Sequence, residues 1–423
     1  MSRSNVFVIG LDEGNLDTLR EVPEAQECTF HSLLSIEELQ HGEIDPEELL
    51  KKAQVKLDAF EGSVDAIVGY WDFPVSTLVP MLCSRYGLRS TSLEAVVKCE
   101  HKFWSRLEQG KVIEEIPRFG IVDLKGEAKV PEGMSFPMWL KPVNSYSSEL
   151  AYGVADEQEF HEAVDRIREG VSRIGRPFQY VLDQIELPQE VEAAGGEACL
   201  AEEQITGEQV AAEGYVYNGE VTVYGVLDSH NYPDSSCFLR HQYPSSLPDE
   251  VTGRIKDISR RVMEQIGMDS ATFSIEFFYD RATDRVRLLE INPRHSQSHA
   301  ELFEFVDGVP NHHAMVSLAL GHDPRMPDDQ GRFKVSGKWY YRRFEDGVAR
   351  RVPTGEEVAA LMEKEPGVKI EIVPEQGQRL SEMPGQDSYS FELAHLYIGA
   401  DSEEELCAAY DRCTAALDFQ FDE

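Results

Sequence analysis

The 423-residue chain carries 77 acidic against 40 basic residues, a formal charge of −37, which disfavours a non-specific grip on nucleic acid or an anionic membrane. The start MSRSNVFVIGLDEGN has no signal-peptide core, and no segment reaches the roughly 18 apolar residues of a membrane span, so a cytoplasmic protein acting on small molecules is expected. Seven scattered cysteines, never spaced C-x-x-C, are expected as reduced thiols without a zinc site, and the length points to two or three domains.

In chain order, VFVIG (6–10) and DAIVGYW (65–71) read as buried parallel strands, and LVPMLCSRYG (78–87) as a helix ended by glycine. The first 95 residues therefore look like a small open α/β unit. No G-x-G-x-x-G follows Ile9, so its first turn lacks the close backbone approach that a dinucleotide pyrophosphate needs. A single helix is predicted from Ser92 to Gln109, with Lys98, Lys102 and Arg106 every four residues along one face. That face is either a solvated basic stripe or a phosphate contact. FPMWLKPVNSYSSELAYGV (136–154) gives a strand ending in Lys141, a serine-rich turn, and Gly153 ahead of a helix from about Asp156. Backbone N–H groups, hydroxyls and an ammonium can converge on a phosphate at such a turn.

Two β-rich stretches follow, 199–228 with YNGE as a hairpin turn and 271–292, flanking an amphipathic helix over 256–267 with Ile258, Val262 and Ile266 inward. Beyond about Phe333, the strands VSGKWYY, VKIEIV and LAHLYIG and a last helix over about 402–417 predict a third, smaller domain.

The chemistry concentrates in RLLEINPRHSQSHAE (287–301). If the second hairpin folds about Thr283, Glu276 faces Glu290, and Asn292 falls on the same face beside Ser274. The other face pairs Phe277 with Leu289 and Ile275 with Ile291. Carboxylates directly opposite one another repel unless something neutralises them, and hard Mg²⁺ takes one or two carboxylates plus waters and substrate phosphates. Glu276, Glu290 and Asn292 are therefore the candidate metal ligands. Arg294, just beyond, is the candidate cation for charge developing on a transferring phosphoryl group.

E-I-N-P-R preceded by an acid on the neighbouring strand, the strand-ending lysine of FPMWLKP and the acidic strand AEEQITGE resemble, in that order, the ATP-grasp superfamily. SLEAVVKCEHKFWSR looks like the lysine-bearing helix that follows a pre-ATP-grasp domain in this family. The resemblance implies an α/β and α+β multidomain fold: a pre-ATP-grasp, Rossmann-like domain over 1–95, an ATP-grasp domain over 96–325 with its lid at about 110–200, and a small C-terminal α+β domain over 326–423. It implies ATP and Mg²⁺ (or Mn²⁺) as cofactors. Lys102, Lys141, Ser147 and Ser148 would meet phosphates, Glu202, Glu203 and Ile205 adenine, and Glu208 the ribose. Glu276, Glu290 and Asn292 would hold the metal, with Lys141, Arg294 and His241 catalytic. His241 enters through RHQ (240–242), similar to the segment that brings a histidine near the γ-phosphate in biotin carboxylase relatives.

Departures from the family pattern narrow the reading. Ser145, Ser147 and Ser148 stand where a glycine-rich flap is common, Ser298 where biotin carboxylases carry a glutamate base, and Tyr243 where a bicarbonate-binding lysine is expected. Bicarbonate carboxylation is accordingly disfavoured, and HSQSH more nearly resembles the carbamoyl-phosphate synthetase side of the family. The layout looks most like L-amino-acid ligases and related carboxylate–amine ligases, which implies a small carboxylate and an amine, amino acids among them, as substrates. A homodimer is a family expectation. His295, Ser296, Ser298 and His299 lie where the acceptor would sit, whereas His312 and His313, adjacent on a helix, cannot both face one ligand. A non-catalytic nucleotide-binding module and a carboxylase-type enzyme stand as alternatives.

Overall fold

The structure is a computed structural model that describes residues 3–40, 44–145, 149–233, 235, 237–383 and 390–422. Ser147 and Ser148, expected at the phosphates, lie outside the described residues. Among the described residues no helix is long and apolar enough to cross a membrane.

The N-terminal unit is a parallel sheet in the order β2-β1-β3, with β1 at Ser4–Ile9, β2 at Cys28–Leu34 and β3 at Ala66–Val68. Apolar side chains on both faces of β1 make it a continuous hydrophobic run, as a strand covered on both sides requires. β3 stops at Val68 because the chain must turn tightly at Gly69, where an added Cβ would lie 2.4 Å from Val75. The helix Val75–Tyr86 follows, closed by Gly87 in the left-handed conformation (φ 64°).

The helix predicted over 92–109 is two helices. Leu93–Glu100 ends at His101, whose backbone is extended (φ −81°, ψ 92°), and the ring Nδ1 of His101 accepts the Trp104 N–H at 3.3 Å to cap a second helix, Lys102–Gln109. The break dissolves the predicted basic face. Lys98 pairs with Glu94 (2.7 Å), Lys102 approaches Glu290 (3.5 Å), and Arg106 is buried on Glu202 (2.6 Å).

A second sheet, antiparallel and in the order β4-β7-β5-β6, comprises β4 (Phe119–Val122), β5 (Met138–Pro142), β6 (Tyr152–Val154) and β7 (Cys199–Glu203). The helix Glu157–Gly170, capped by Asp156, covers it by burying Phe160, Val164 and Ile167 against Met138 and Leu140.

The remaining strands are β8 (Glu208–Tyr217), β9 (Glu220–Asn231), β10 (Phe238–Tyr243), β11 (Ala271–Asp280), β12 (Arg285–Asn292), β13 (Val335–Arg343), β14 (Val348–Arg351), β15 (Val368–Ile372), β16 (Phe391–Ala400) and β17 (Gln420–Asp422). Eight of them form one sheet, β12-β11-β8-β9-β10-β13-β16-β15, while β14 pairs with β17. Asn218 and Gly219 both take positive φ (51° and 80°) in the β8–β9 turn, as a two-residue type I′ hairpin demands. The strands expected for a separate C-terminal domain thus continue the central sheet: β13 pairs with β10, setting Lys338 opposite His241, and removes what would be an exposed edge.

The helix Asp249–Ile266 starts earlier than its periodicity suggested and packs Ile255, Ile258, Val262 and Ile266 against Phe273, Ile275 and Phe277. In the β11–β12 hairpin Glu276 faces Glu290, Ile275 faces Ile291 and Ser274 faces Asn292, as expected. Phe277, however, faces Leu288 rather than Leu289, because a bulge between Glu276 and Phe277 shifts the register. The bulge lets Val286, Leu288 and Ile291 all reach the core, leaving Leu289 half-buried.

Arg106 fastens these layers together. Its Nε donates to Glu202 on β7 at 2.6 Å, and its Nη1 and Nη2 donate to the Leu288 and Leu289 carbonyls of β12 at 3.1 and 2.5 Å. Removing one member of a buried ion pair strands the other charge, at a cost of about 3–5 kcal/mol. Arg106→Ala should lower the unfolding free energy by that amount in urea denaturation, and Arg106→Lys should recover only part, since an ammonium cannot reproduce the fork. A loss below about 1 kcal/mol would mean that Lys141 alone neutralises Glu202.

Candidate active site

The two faces of the central sheet divide the labour. One packs on the Asp249–Ile266 helix; the period of two brings Gln209 and Glu213 (β8), Ser274 and Glu276 (β11), and Asn292 (β12) to the other, with Glu290 opposite Glu276. Glu276 accepts from Gln209 Nε2 at 2.9 Å and from Asn292 Nδ2 at 3.4 Å. Burial, and after it the Glu290 carboxylate, pushes Glu276 up to about 7. The Lys102 ammonium stands 3.5 Å from Glu290 and also donates to the Ser145 carbonyl at 2.8 Å. Two opposed carboxylates and an amide fit a hard divalent cation that completes its shell with phosphate oxygens and water. They do not form a closed protein cage: among the described residues no group of three or more His, Cys, Asp or Glu side chains is placed to hold a metal.

A second charged group lies where the β4-β7-β5-β6 sheet meets the rest. Lys141 Nζ is 2.5 Å from Glu202 Oε2, and both side chains are buried. Burial works against the Glu202 charge, yet Arg106 and Lys141 together hold its carboxyl down to about 2. Burial draws Lys141 below the usual lysine range, opposed by Glu202 and assisted by the neighbouring Lys102 and Arg106 cations.

Other expected contacts fall elsewhere. Both Glu202 oxygens are engaged by Arg106 and Lys141, so the carboxylate expected at adenine is committed to the protein interior. Glu203 Oε2 accepts from the Arg118 backbone N–H at 3.2 Å. Ile205 lies half-buried in the link between β7 and β8, and Glu208 is exposed and paired with Arg281. His312 bonds to Asn15 at 3.0 Å and His313 to Glu24 at 2.9 Å, consistent with two rings that cannot share a ligand. His241 is buried against His299, with 2.5 Å between Nδ1 and Nε2.

Arg294 brought a partner that sequence reasoning missed. Its Nε and Nη2 donate to the two oxygens of Asp72 at 2.7 and 2.8 Å, a bidentate pair linking the N-terminal unit to the end of β12. Asp72 follows β3, at the carboxyl end of a parallel strand, where open α/β sheets place functional groups; that position was the available signal. Glu100 was also missed. It is pushed up to about 7 by burial and then by Asp72, and its Oε1 has no hydrogen-bond partner among the described residues. A cleft lined by Ser76, Arg89, Thr91, Thr272 and Arg294 lies beside this group, between the N-terminal unit and the central sheet.

Residues 134–300 match the model of the ATP-grasp domain. Among curated proteins the chain is similar to the N-terminal section of the carbamoyl phosphate synthase large chain of Methanopyrus kandleri, 25% identical over 253 residues, which are 59% of this chain and 40% of that protein. The chain thus matches well under half of that relative's length. Among solved structures it resembles an L-amino acid ligase from Bacillus licheniformis (TM-score 0.74, 15% identity, all of both chains). It also resembles the biotin carboxylase domain of the Hydrogenobacter thermophilus 2-oxoglutarate carboxylase, solved with MgADP and bicarbonate (TM-score 0.66, 17% identity, 100% of this chain and 92% of that one). At these identities the two structures establish the multidomain α/β and α+β fold.

The raised Glu276 carboxyl makes a prediction about stability. With its folded-state pKa near 7, above the ordinary 4.5, ionisation carries a cost in the folded chain that is absent in the unfolded one; the cost is nil below about pH 4.5 and complete above about pH 7. Without divalent metal, Glu276→Gln should therefore match the wild type near pH 4.5 and be more stable by about 1–3 kcal/mol at pH 8, read by thermal unfolding. With Mg-ATP added, the wild type should gain stability and the variant should not.

Proposed function

We propose, from the ATP-grasp domain that this chain carries, that it is an ATP-dependent carboxylate–amine ligase. In this reading ATP phosphorylates a small carboxylate, and an amine displaces phosphate from the acyl phosphate to give an amide, ADP and phosphate. The observation that carries the reading is the opposed pair Glu276 and Glu290 with Asn292 beside it, an arrangement whose repulsion calls for a cation. Glu276, Glu290 and Asn292 would hold Mg²⁺ or Mn²⁺, which would supply positive charge to offset that of nucleotide phosphates.

The chain's own groups supply the rest. Lys102, between Glu290 and the Ser145 carbonyl, would meet a nucleotide phosphate. Lys141, clamped by Glu202, presents a fixed cation at the end of β5. Arg294, held flat by Asp72, would stabilise charge on the transferred phosphoryl group. Ile205 and its neighbours in the β7–β8 link would offer backbone groups to the base, and Glu208 a carboxylate to the ribose. No protein nucleophile is required. Amino acids are the substrate class suggested by the likeness to the L-amino acid ligase, and a homodimer belongs to the same reading.

The test is ADP, phosphate and AMP release from Mg-ATP against pools of amino acids, small carboxylates and amines. ADP and phosphate should rise with one carboxylate and amine pool, and Glu290→Gln should reduce that turnover at least about 100-fold while leaving the thermal unfolding curve cooperative. AMP with pyrophosphate would replace the acyl phosphate by an adenylate; nucleotide binding without stimulated turnover would favour a non-catalytic module.

A further inference from the structure

The cleft between the N-terminal unit and the central sheet holds groups that the ligase reading leaves without a role. Of the residues placed above at metal, nucleotide or phosphate, Arg294 alone lines it. Its walls are apolar: Val79 and Pro80 on the helix Val75–Tyr86, Val96 on the helix Leu93–Glu100, and Met315 and Leu318 on the helix His312–Ala319. It encloses about 60 Å³, room for roughly four to six water molecules, so an occupant is small. Ser76 and Pro80 both line it, four residues apart on one helix, which sets its length at about 6 Å or more.

One end is cationic. Arg89, half-buried in the link between the first two of those helices, donates through Nε to Ser270 Oγ at 2.7 Å and through Nη2 to Asn218 Oδ1 at 2.6 Å, and its guanidinium lies 5.1 Å from the centre of the Tyr217 ring. All three partners are neutral. Among the described residues no carboxylate pairs with Arg89, and its Nη1 has no acceptor. A guanidinium held in place by neutral groups, with donors left over, is set to receive a carboxylate.

The other end is a polar corner with acceptors to spare. Ser76 is 8% exposed, and its buried Oγ has no partner among the described residues. By contrast, Thr91 Oγ1 accepts the Asp269 N–H at 3.4 Å and Thr272 Oγ1 the His295 N–H at 3.0 Å. The Glu100 carboxyl stands beside Ser76, and its Oε1 is unpartnered as well. The N–H groups of Ser76 and Thr77 go to the Asp72 and Pro74 carbonyls, so the start of this helix offers them to no anion. Arg294, the cation at this end, has its charge met by Asp72. Spare acceptors beside a carboxyl call for a donor, and an ammonium is the one that also answers the charge.

We infer that the cleft is the site of the amine-bearing substrate, an aliphatic aminocarboxylate of about four carbons whose carboxylate lies on Arg89 and whose amine lies at Ser76, on the side of Arg294. The inference rests on the ligase reading and names its acceptor. An α-amino acid carries both groups on one carbon, too close together to reach both ends of the cleft; a chain with its amine on the far carbon reaches them. The apolar walls between the two ends cover its methylenes. Arg89 and Ser76 decide which amine is accepted and take no part in bond making.

Thermal unfolding and saturation-transfer NMR of the full chain, without nucleotide, test the site with 4-aminobutanoate, butanoate and butylamine. 4-Aminobutanoate should bind tightest, butanoate about 10-fold more weakly and butylamine weakest. Arg89→Gln should weaken 4-aminobutanoate about 100-fold. Because Arg89 also ties Ser270 and Asn218, Ser76→Ala is the second variant. With no bond to lose, it should unfold at the wild-type temperature, weaken 4-aminobutanoate about 10-fold and leave butanoate unchanged. No binding by the wild type at millimolar concentration, or binding that neither variant alters, overturns the site. In turnover with Mg-ATP and a carboxylate pool, 4-aminobutanoate should raise ADP release, with a higher KM in Ser76→Ala. Binding that both variants weaken, without stimulated release, overturns the acceptor role. Release driven by other amines and indifferent to Arg89→Gln keeps the ligase reading and overturns this site for its acceptor.

Discussion

Two carboxylates held opposite one another set the terms for the rest of the molecule. Hairpin pairing fixes Glu276 against Glu290, and on their own such neighbours weaken a sheet. The pair persists because the reverse face of the same strands buries Phe273, Ile275 and Phe277 under the Asp249–Ile266 helix. Slipping the register by one residue would put those rings in solvent and the acids in the core. Core packing therefore holds the functional face in a state it would not choose, and the raised Glu276 carboxyl is the electrostatic trace of that constraint.

The cations are positioned by a different device. Lys102, Arg106 and Lys141 approach the same region from a helix and from β5, and three like charges there would repel without Glu202. Glu202 pairs with both Arg106 and Lys141 and leaves Lys102 to Glu290. Because Arg106 also binds the β12 carbonyls, one buried acid both joins the β4-β7-β5-β6 sheet to the central sheet and orients the Lys141 ammonium.

What the sequence revealed was what depends on local periodicity. Alternation in 271–292 is enough to pair Glu276 with Glu290, and the apolar runs are enough to find the parallel unit and, as 256–267, the later part of the helix Asp249–Ile266. The single helix over 92–109 failed because periodicity cannot see that a histidine ring will cap the next turn. The placement of Leu288 failed because a bulge leaves no mark in a two-residue pattern. The continuation of the central sheet by β13 and the Asp72 partner of Arg294 are contacts over long sequence separations. Nothing local encodes them.

The same distinction explains why the bonds joining Glu213, His299 and His241 were invisible beforehand. Glu213, His241 and His299 come from β8, β10 and the turn after β12; the sequence singled out His241 and His299 separately and gave no sign of Glu213 or of the bonds among the three. Only the assembled sheet shows that one buried carboxylate receives four donors. Arg294 illustrates the complementary case. Its charge was legible from the strand end, but its bidentate hold on Asp72 means that any phosphoryl group it meets must share it with a carboxylate of the N-terminal unit. In the proposed reaction, the pull Arg294 could exert would depend on how closely the N-terminal unit packs against the end of β12.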